Sequence, residues 1–112
     1  MEFTEKLASR TVVTCDEVLT ELLAYCASDE LLRGFAGRAV SGLLSNPDIR
    51  VVPQSRSSFV EGLALYNSRP DKGYSLTDCI SMQTMRREGL TEVLTDDRHF
   101  EQEGFRALFR NL

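Results

Sequence analysis

The sequence lacks the patterns that mark several common classes of protein. No apolar run approaches the length of a transmembrane helix, and the first five residues do not resemble a signal peptide. Neither a Walker loop nor a GxGxxG fingerprint occurs, and the glycines are scattered along the chain. These absences argue against a membrane protein, a secreted protein and the common nucleotide-binding domains. They predict a cytoplasmic protein.

Cysteine and histidine are scarce. The three cysteines, Cys15, Cys26 and Cys79, have no CxxC spacing and lie in or beside apolar runs, so we expect reduced and buried thiols. The single histidine, His99, has no cysteine or serine nucleophile at a recognisable spacing. We therefore interpret His99 as a loop or packing residue.

Lysine is nearly absent. Only Lys6 and Lys72 occur among the 13 basic residues, and the others are arginines, which suit planar contacts with phosphate. The formal net charge of −4 does not indicate a broad nucleic-acid-binding surface, although a local group of arginines would suffice for a short RNA contact. The length of 112 residues and the hydrophobic content of 42% predict one globular domain over residues 1–112.

Short β-rich runs alternate with segments of helical periodicity. The predicted strands cover residues 11–14, 49–52, 92–95 and 105–109, and the predicted helices cover residues 16–27, 30–45, 57–67 and 77–88. Strands that alternate with helices imply parallel crossovers. The sequence therefore predicts an α/β fold in which a mostly parallel sheet lies between helical layers, with the ligand site beyond the carboxyl ends of the strands.

Three acidic residues are candidates for a shared site at that edge of the sheet. Glu21 lies about two helical turns after the first strand, Asp78 opens a helix, and Asp97 follows the third strand. Each has a structural alternative. Glu21 can be a solvated helix residue, and Asp78 can complete a capping box with Ser75. Asp97 can cap a short helix, and its neighbour Asp96 competes with it for either role.

Taken together, the acids predict a site for a divalent cation. Oxygen ligands without a histidine or cysteine cluster suit Mg²⁺ or Mn²⁺ rather than zinc. A cation held in this way can lower the pKa of a bound water and stabilise negative charge on a phosphodiester. The acids thus indicate metal-dependent chemistry on a phosphodiester.

The three acids lie in segments that cover residues 12–21, 74–81 and 94–105. These segments resemble the PIN-domain family, and most of all the VapC toxins of bacterial toxin–antitoxin pairs. In the register of the family, the catalytic and metal-binding acids are Glu21, Asp78 and Asp97, and Asp96 falls on a variable position. The resemblance covers essentially the whole chain.

The resemblance implies a three-layer α/β fold and an endoribonuclease that depends on Mg²⁺ or Mn²⁺. It also implies a homodimer and inhibition by a cognate antitoxin. The substrate-binding residues would be Arg98, Thr95 and Ser75, and two further arginines, Arg86 and Arg87, would be available for RNA phosphate.

One element of the family is missing. The family begins with a strand that ends in an aspartate metal ligand, whereas residues 1–10 have a helical pattern and lead straight to Thr11. We therefore expect a PIN-like domain that is truncated at its N-terminus. Three explanations stay open: the sequence begins too late, the gene is a decayed toxin, or another chain supplies the strand.

Two other functions also stay open. If the site lacks a ligand, the chain would be a decayed PIN domain that acts only as an interaction module. A flavodoxin-like regulatory domain is the third hypothesis, although nothing in the chain supplies the other signatures of that fold.

Overall fold

A computed structural model describes residues 12–93, 95 and 97–108. The chain divides into two units, Met1–Gln54 and Ser55–Leu112. In the described residues the strands form two sheets of two strands each, and both pairings are parallel.

The described residues of the first unit form two strands and two helices. Strand β1 (Val12–Cys15) is followed by helix α1 (Asp16–Tyr25), helix α2 (Glu30–Ser45) and strand β2 (Ile49–Val52). The two strands pair in parallel over four residues each. Parallel strands need a long crossover connection, and the two helices supply it.

Polar side chains set the turns of the first unit. Asp29 caps α2 by accepting a hydrogen bond from the backbone N–H of Leu32 at 3.1 Å. Pro47 follows the C-cap of α2, where a helix cannot continue. The carboxylate of Asp16 accepts a hydrogen bond from the backbone N–H of Gln54 at 2.9 Å, so it joins the start of α1 to the chain that follows β2.

The second unit is built around two longer helices. It contains helix α3 (Arg56–Ser68), helix α4 (Leu76–Arg87), strand β3 (Glu92–Val93), helix α5 (Arg98–Gln102) and strand β4 (Arg106–Ala107). The short strands β3 and β4 pair in parallel. Since α5 lies between them, it is the crossover connection of this pair.

Helices α3 and α4 approach closely at Gly62. A Cβ atom at this position would lie 3.0 Å from the Cα atom of Ile80, which is too close for two carbon atoms. Glycine therefore permits the contact between the helices. A core of buried side chains forms beside them, and it consists of Leu65, Tyr74, Cys79, Met82, Met85, Phe100 and Phe105.

Glycines end the two helices that flank β3. Gly89 follows α4 with φ of 70°, and Gly104 follows α5 with φ of 93°. In each case the glycine N–H and the next N–H bond back to carbonyls of the last turn, as in a Schellman motif. These glycine turns determine where each helix ends and where the chain continues toward the next strand.

The predicted fold class is confirmed, because the described residues form an α/β fold with parallel strands. The four longer helices lie where the periodicity predicts them, with ends that differ by at most two residues. The third and fourth strands are shorter than predicted, and the described strands form two pairs rather than one sheet.

Some predictions are not decided by the described residues. The helical pattern of residues 1–10 and its relation to a first strand lie outside them, as does Asp96. The single domain over residues 1–112 also stays a prediction. None of the helices in the described part of the chain has the length and apolar character needed to cross a membrane.

Candidate metal centre

Asp78 is held at the start of α4 by a capping box. The Ser75 hydroxyl accepts a hydrogen bond from the Asp78 N–H at 3.0 Å, and the Asp78 carboxylate accepts one from the Ser75 N–H at 3.2 Å. The predicted capping box is therefore present. It restricts the side-chain conformation of Asp78 and leaves further lone pairs of the carboxylate available.

Asp97 is held at the start of α5 in a similar way. Its carboxylate accepts a hydrogen bond from the His99 N–H at 2.8 Å, and this makes Asp97 the N-cap of the short helix. The Asp97 N–H donates to the Thr95 hydroxyl at 3.2 Å. The backbone and the carboxylate of Asp97 are thus both restrained.

The side chain of His99 lies between these two carboxylates. Its Nδ1 atom is 3.6 Å from Asp78 Oδ2 and 3.6 Å from Asp97 Oδ1. Both distances are too long for a hydrogen bond. Nδ1 is buried and has no hydrogen-bond partner among the described residues. One donor atom from each of the three side chains lies within 4.8 Å of the other two.

Tyr74 packs against the histidine ring and is itself fixed. The ring centroids of Tyr74 and His99 are 5.2 Å apart with an angle of 60° between the planes. The Tyr74 hydroxyl donates to Glu103 Oε2 at 3.1 Å. Burial, together with this hydrogen bond to a carboxylate, raises the pKa of Tyr74 to about 12. The phenol therefore stays neutral and can hold its place beside the imidazole.

Glu103 forms a second carboxylate centre in the same unit. Its side chain is only 5% exposed and pairs with Arg69 at 3.0 Å and with Arg86 at 3.0 Å. Arg69 donates to both carboxylate oxygens, so the contact is bidentate. Burial alone would raise the pKa of Glu103, but the hydrogen bonds from Arg69, Arg86 and Tyr74 outweigh it and lower that pKa.

A model of the PIN-domain family matches residues 1–105. The chain belongs to the PIN-domain family. Its structure is also similar to the crystal structure of VapC20 of Mycobacterium tuberculosis, which is described as a toxin that cleaves the sarcin–ricin loop. The TM-score is 0.76 at 20% sequence identity, and the match covers 88% of this chain and 75% of VapC20. At this identity the similarity shows a shared fold. No curated protein matches the chain.

The three side chains of this PIN domain fit a divalent cation. Two carboxylates and one imidazole nitrogen are donors of the kinds that bind Mn²⁺ and related ions. The side chains are partly open to solvent, with exposed fractions of 21% for Asp78, 27% for His99 and 41% for Asp97. In the described part of the chain, neither aspartate pairs with a lysine or an arginine. No lysine or arginine of the described residues therefore neutralises their charge.

The structure brings together two of the predicted site residues, Asp78 and Asp97. Glu21 belongs to the first unit, where it is exposed on α1, and its part in a metal site stays a prediction. The sequence alone does not predict that His99 lies between the two aspartates, and its interpretation as a loop or packing residue leaves out this position. One signal in the sequence could have indicated that His99 lies close to Asp97. The carboxylate of an N-cap aspartate accepts a hydrogen bond from the backbone N–H two residues later, and His99 is that residue.

Of the three predicted substrate-binding residues, two make structural hydrogen bonds and one is exposed to solvent. Ser75 and Thr95 bond to the backbone of the two aspartates, while Arg98 is exposed at the first residue of α5. The two further arginines have intramolecular partners: Arg86 pairs with Glu103, and Arg87 pairs with Glu61. Contact of any of these residues with RNA stays a prediction.

Proposed function

We propose that this PIN-domain protein is an endoribonuclease that depends on a divalent cation, and that it is the toxin of a toxin–antitoxin pair. The observation that carries the proposal is the convergence of Asp78, Asp97 and His99 in one place. Asp78 lies at the start of one helix, and Asp97 and His99 lie at the start of another, 19 or more positions further along the chain. Local structure alone therefore does not bring Asp78 and the other two residues together.

Electrostatics supports the need for a cation. Negative charges on two carboxylates with oxygens within 4.8 Å of one another repel each other, and they also repel the phosphate of an RNA chain. A bound divalent ion supplies the opposite charge, polarises the phosphodiester and makes a bound water more acidic. The capping hydrogen bonds of Asp78 and Asp97 hold their oxygens in place before substrate arrives. Arg98, exposed beside Asp97, is the proposed contact for an RNA phosphate.

Glu21 is the proposed third carboxylate of the site. Its support is the resemblance of residues 12–21 to the family segment that ends in a metal-binding glutamate. Replacement of Glu21 by Gln should then weaken Mn²⁺ binding in a calorimetric titration. An unchanged affinity would remove this residue from the proposed site.

The test of the nuclease uses the full chain, a structured RNA that contains a sarcin–ricin loop, and Mg²⁺ or Mn²⁺. We expect cleavage that stops when the cation is chelated. Asp97→Asn and Asp78→Asn should each reduce the rate by at least about 100-fold, because even neighbours of metal ligands contribute about 10- to 100-fold. The control is Asp71→Asn, an exposed aspartate of the loop that precedes α4.

The result separates two functions. Cleavage that persists in Asp97→Asn would contradict the assignment of the site. Absence of cleavage in the wild-type protein with both cations would favour the alternative, a PIN domain that acts only as an interaction module. Cleavage in the presence of chelator would indicate a different nuclease.

We also propose a cognate antitoxin and a homodimer as partners. The first unit exposes large apolar side chains, with Leu31 85% exposed, Phe35 68% exposed and Leu44 62% exposed, all on α2. Exposed apolar groups of this size are typical of protein interfaces. We expect a dimer in sedimentation analysis that Phe35→Glu weakens. A wild-type monomer at micromolar concentration would contradict the homodimer. The predicted cytoplasmic location is part of the same proposal.

A further inference from the structure

We propose that His99 binds the cation directly through Nδ1, and that this nitrogen ligand makes the site prefer Mn²⁺ over Mg²⁺. The inference rests on the proposed metal site and specifies its ligands. It replaces the oxygen-only site that the acidic residues alone predict.

The Nδ1 atom of His99 is in an unusual state for a polar atom. It is buried and has no hydrogen-bond partner among the described residues. A buried polar atom left without a partner is costly, so such atoms usually have a ligand or a function. A cation between His99 and the two aspartates would give Nδ1 a partner and would also relieve the repulsion between the carboxylates.

The distances from Nδ1 to the two carboxylates also support coordination. Nδ1 lies 3.6 Å from a carboxylate oxygen of Asp78 and 3.6 Å from one of Asp97. Ligand atoms that bind one cation at about 2.0–2.2 Å are roughly 3–4 Å apart from each other. The observed spacing is therefore that of neighbouring ligands, and it is longer than the spacing of hydrogen-bonded atoms.

The imidazole ring of His99 is supported by neighbouring side chains. Tyr74 packs against the ring, and Glu103 holds the Tyr74 hydroxyl at 3.1 Å. Glu103 is in turn fixed by two arginines. A ring that is restrained in this way is already oriented for binding, and metal-binding histidines are commonly oriented by their surroundings. Coordination by Nδ1 places the remaining ring proton on Nε2.

The preference for the cation follows from the donor set. Mg²⁺ binds oxygen ligands and releases its waters reluctantly, whereas first-row transition metals accept imidazole nitrogen readily. A nitrogen in place of one oxygen should therefore raise the affinity for Mn²⁺ relative to that for Mg²⁺. The chain contains one histidine, so every imidazole signal from an untagged protein comes from His99.

The test is pulsed electron paramagnetic resonance of the full, untagged chain with Mn²⁺. A coordinated imidazole produces nitrogen modulation of the electron spin echo, and we expect this modulation in the wild-type protein. In His99→Asn it should disappear, because the variant contains no imidazole. The asparagine amide offers an oxygen near the same position, so the cation can still bind. Calorimetric titrations should show that the ratio of Mn²⁺ to Mg²⁺ affinity falls at least about 10-fold in this variant.

The outcomes separate this inference from the proposed function. Wild-type protein that binds Mn²⁺ without nitrogen modulation overturns the ligand role of His99 and leaves a metal site made of carboxylates. An unchanged ratio of affinities in His99→Asn also overturns the inference. Absence of Mn²⁺ binding overturns both the inference and the proposed metal site. The spectrum of the wild-type protein decides the ligand role even if the variant does not fold.

Discussion

Two carboxylate centres lie in the second unit, and they are built in opposite ways. Glu103 is almost fully buried and is paired with Arg69, Arg86 and Tyr74. Asp78 and Asp97 are partly exposed and are held by backbone N–H groups at helix starts. The side chain between these two aspartates is an imidazole whose Nδ1 atom has no hydrogen-bond partner among the described residues.

The difference shows how a carboxylate is used in each place. At Glu103 the charge is neutralised within the protein, so the group joins α4 and the loop after α3 to the end of α5. At the aspartates, hydrogen bonds fix the oxygens without supplying a full positive charge. Removal of one partner from a buried ion pair destabilises the fold, whereas two adjacent acids that have no lysine or arginine partner in the described residues are suited to hold a cation.

Replacement of Glu103 by Gln should have the largest effect on stability. The amide keeps the shape of the side chain but removes the charge that two arginines and a tyrosine contact. Hydrogen bonds to charged groups contribute about 1.5–3 kcal/mol each, and we expect a loss of about 2–3 kcal/mol in the free energy of unfolding. Urea denaturation at neutral pH measures it. A loss below about 0.5 kcal/mol would contradict the structural role of this centre.

The matched substitution at the other centre is Asp97→Asn. Asparagine caps a helix about as well as aspartate, and the change also removes repulsion from Asp78. We therefore expect a change of less than about 1 kcal/mol in the free energy of unfolding. A loss as large as that of Glu103→Gln would show that Asp97 is chiefly a stabilising residue.

The dependence of the free energy of unfolding on acidic pH should show a smaller effect that is specific to Glu103. The pKa of Glu103 is lower in the folded protein than its ordinary value of 4.5. Its contribution is therefore fully present above that value and is lost as the pH falls through the lower, folded pKa. The difference in unfolding free energy between wild type and Glu103→Gln should shrink below about pH 4. A difference that does not depend on pH would contradict this pairing.

Much of the fold can be predicted from the sequence because local physical rules determine it. Hydrophobic periodicity locates the four longer helices, and Asn46-Pro47 ends α2 where the pattern predicts. The capping roles of Ser75, Asp78 and Asp97 follow from residue type and spacing alone. The two aspartates of the candidate site can be predicted in the same way, with help from the family resemblance.

Two other features depend on contacts that are distant in sequence. The pairing of Glu103 with Arg69 joins residues 34 positions apart, and no local pattern predicts it. The position of His99 beside Asp78 depends on the packing of α5 near the start of α4. A single histidine with no metal-binding partner at a recognisable spacing does not indicate a metal ligand, so the sequence suggests a packing role. The presence of His99 Nδ1 in the candidate site can be recognised only from the positions of α4 and α5 in the structure.

The most direct test of the central claim is a calorimetric titration of the full chain with Mn²⁺, made side by side on wild type, Asp97→Asn and Asp71→Asn. We predict one saturable site in the wild type and in the Asp71 control, with affinity reduced at least about 10-fold in Asp97→Asn. Equal affinity in all three proteins, or no saturable binding in the wild type, would contradict the assignment of Asp78, Asp97 and His99 as a metal centre.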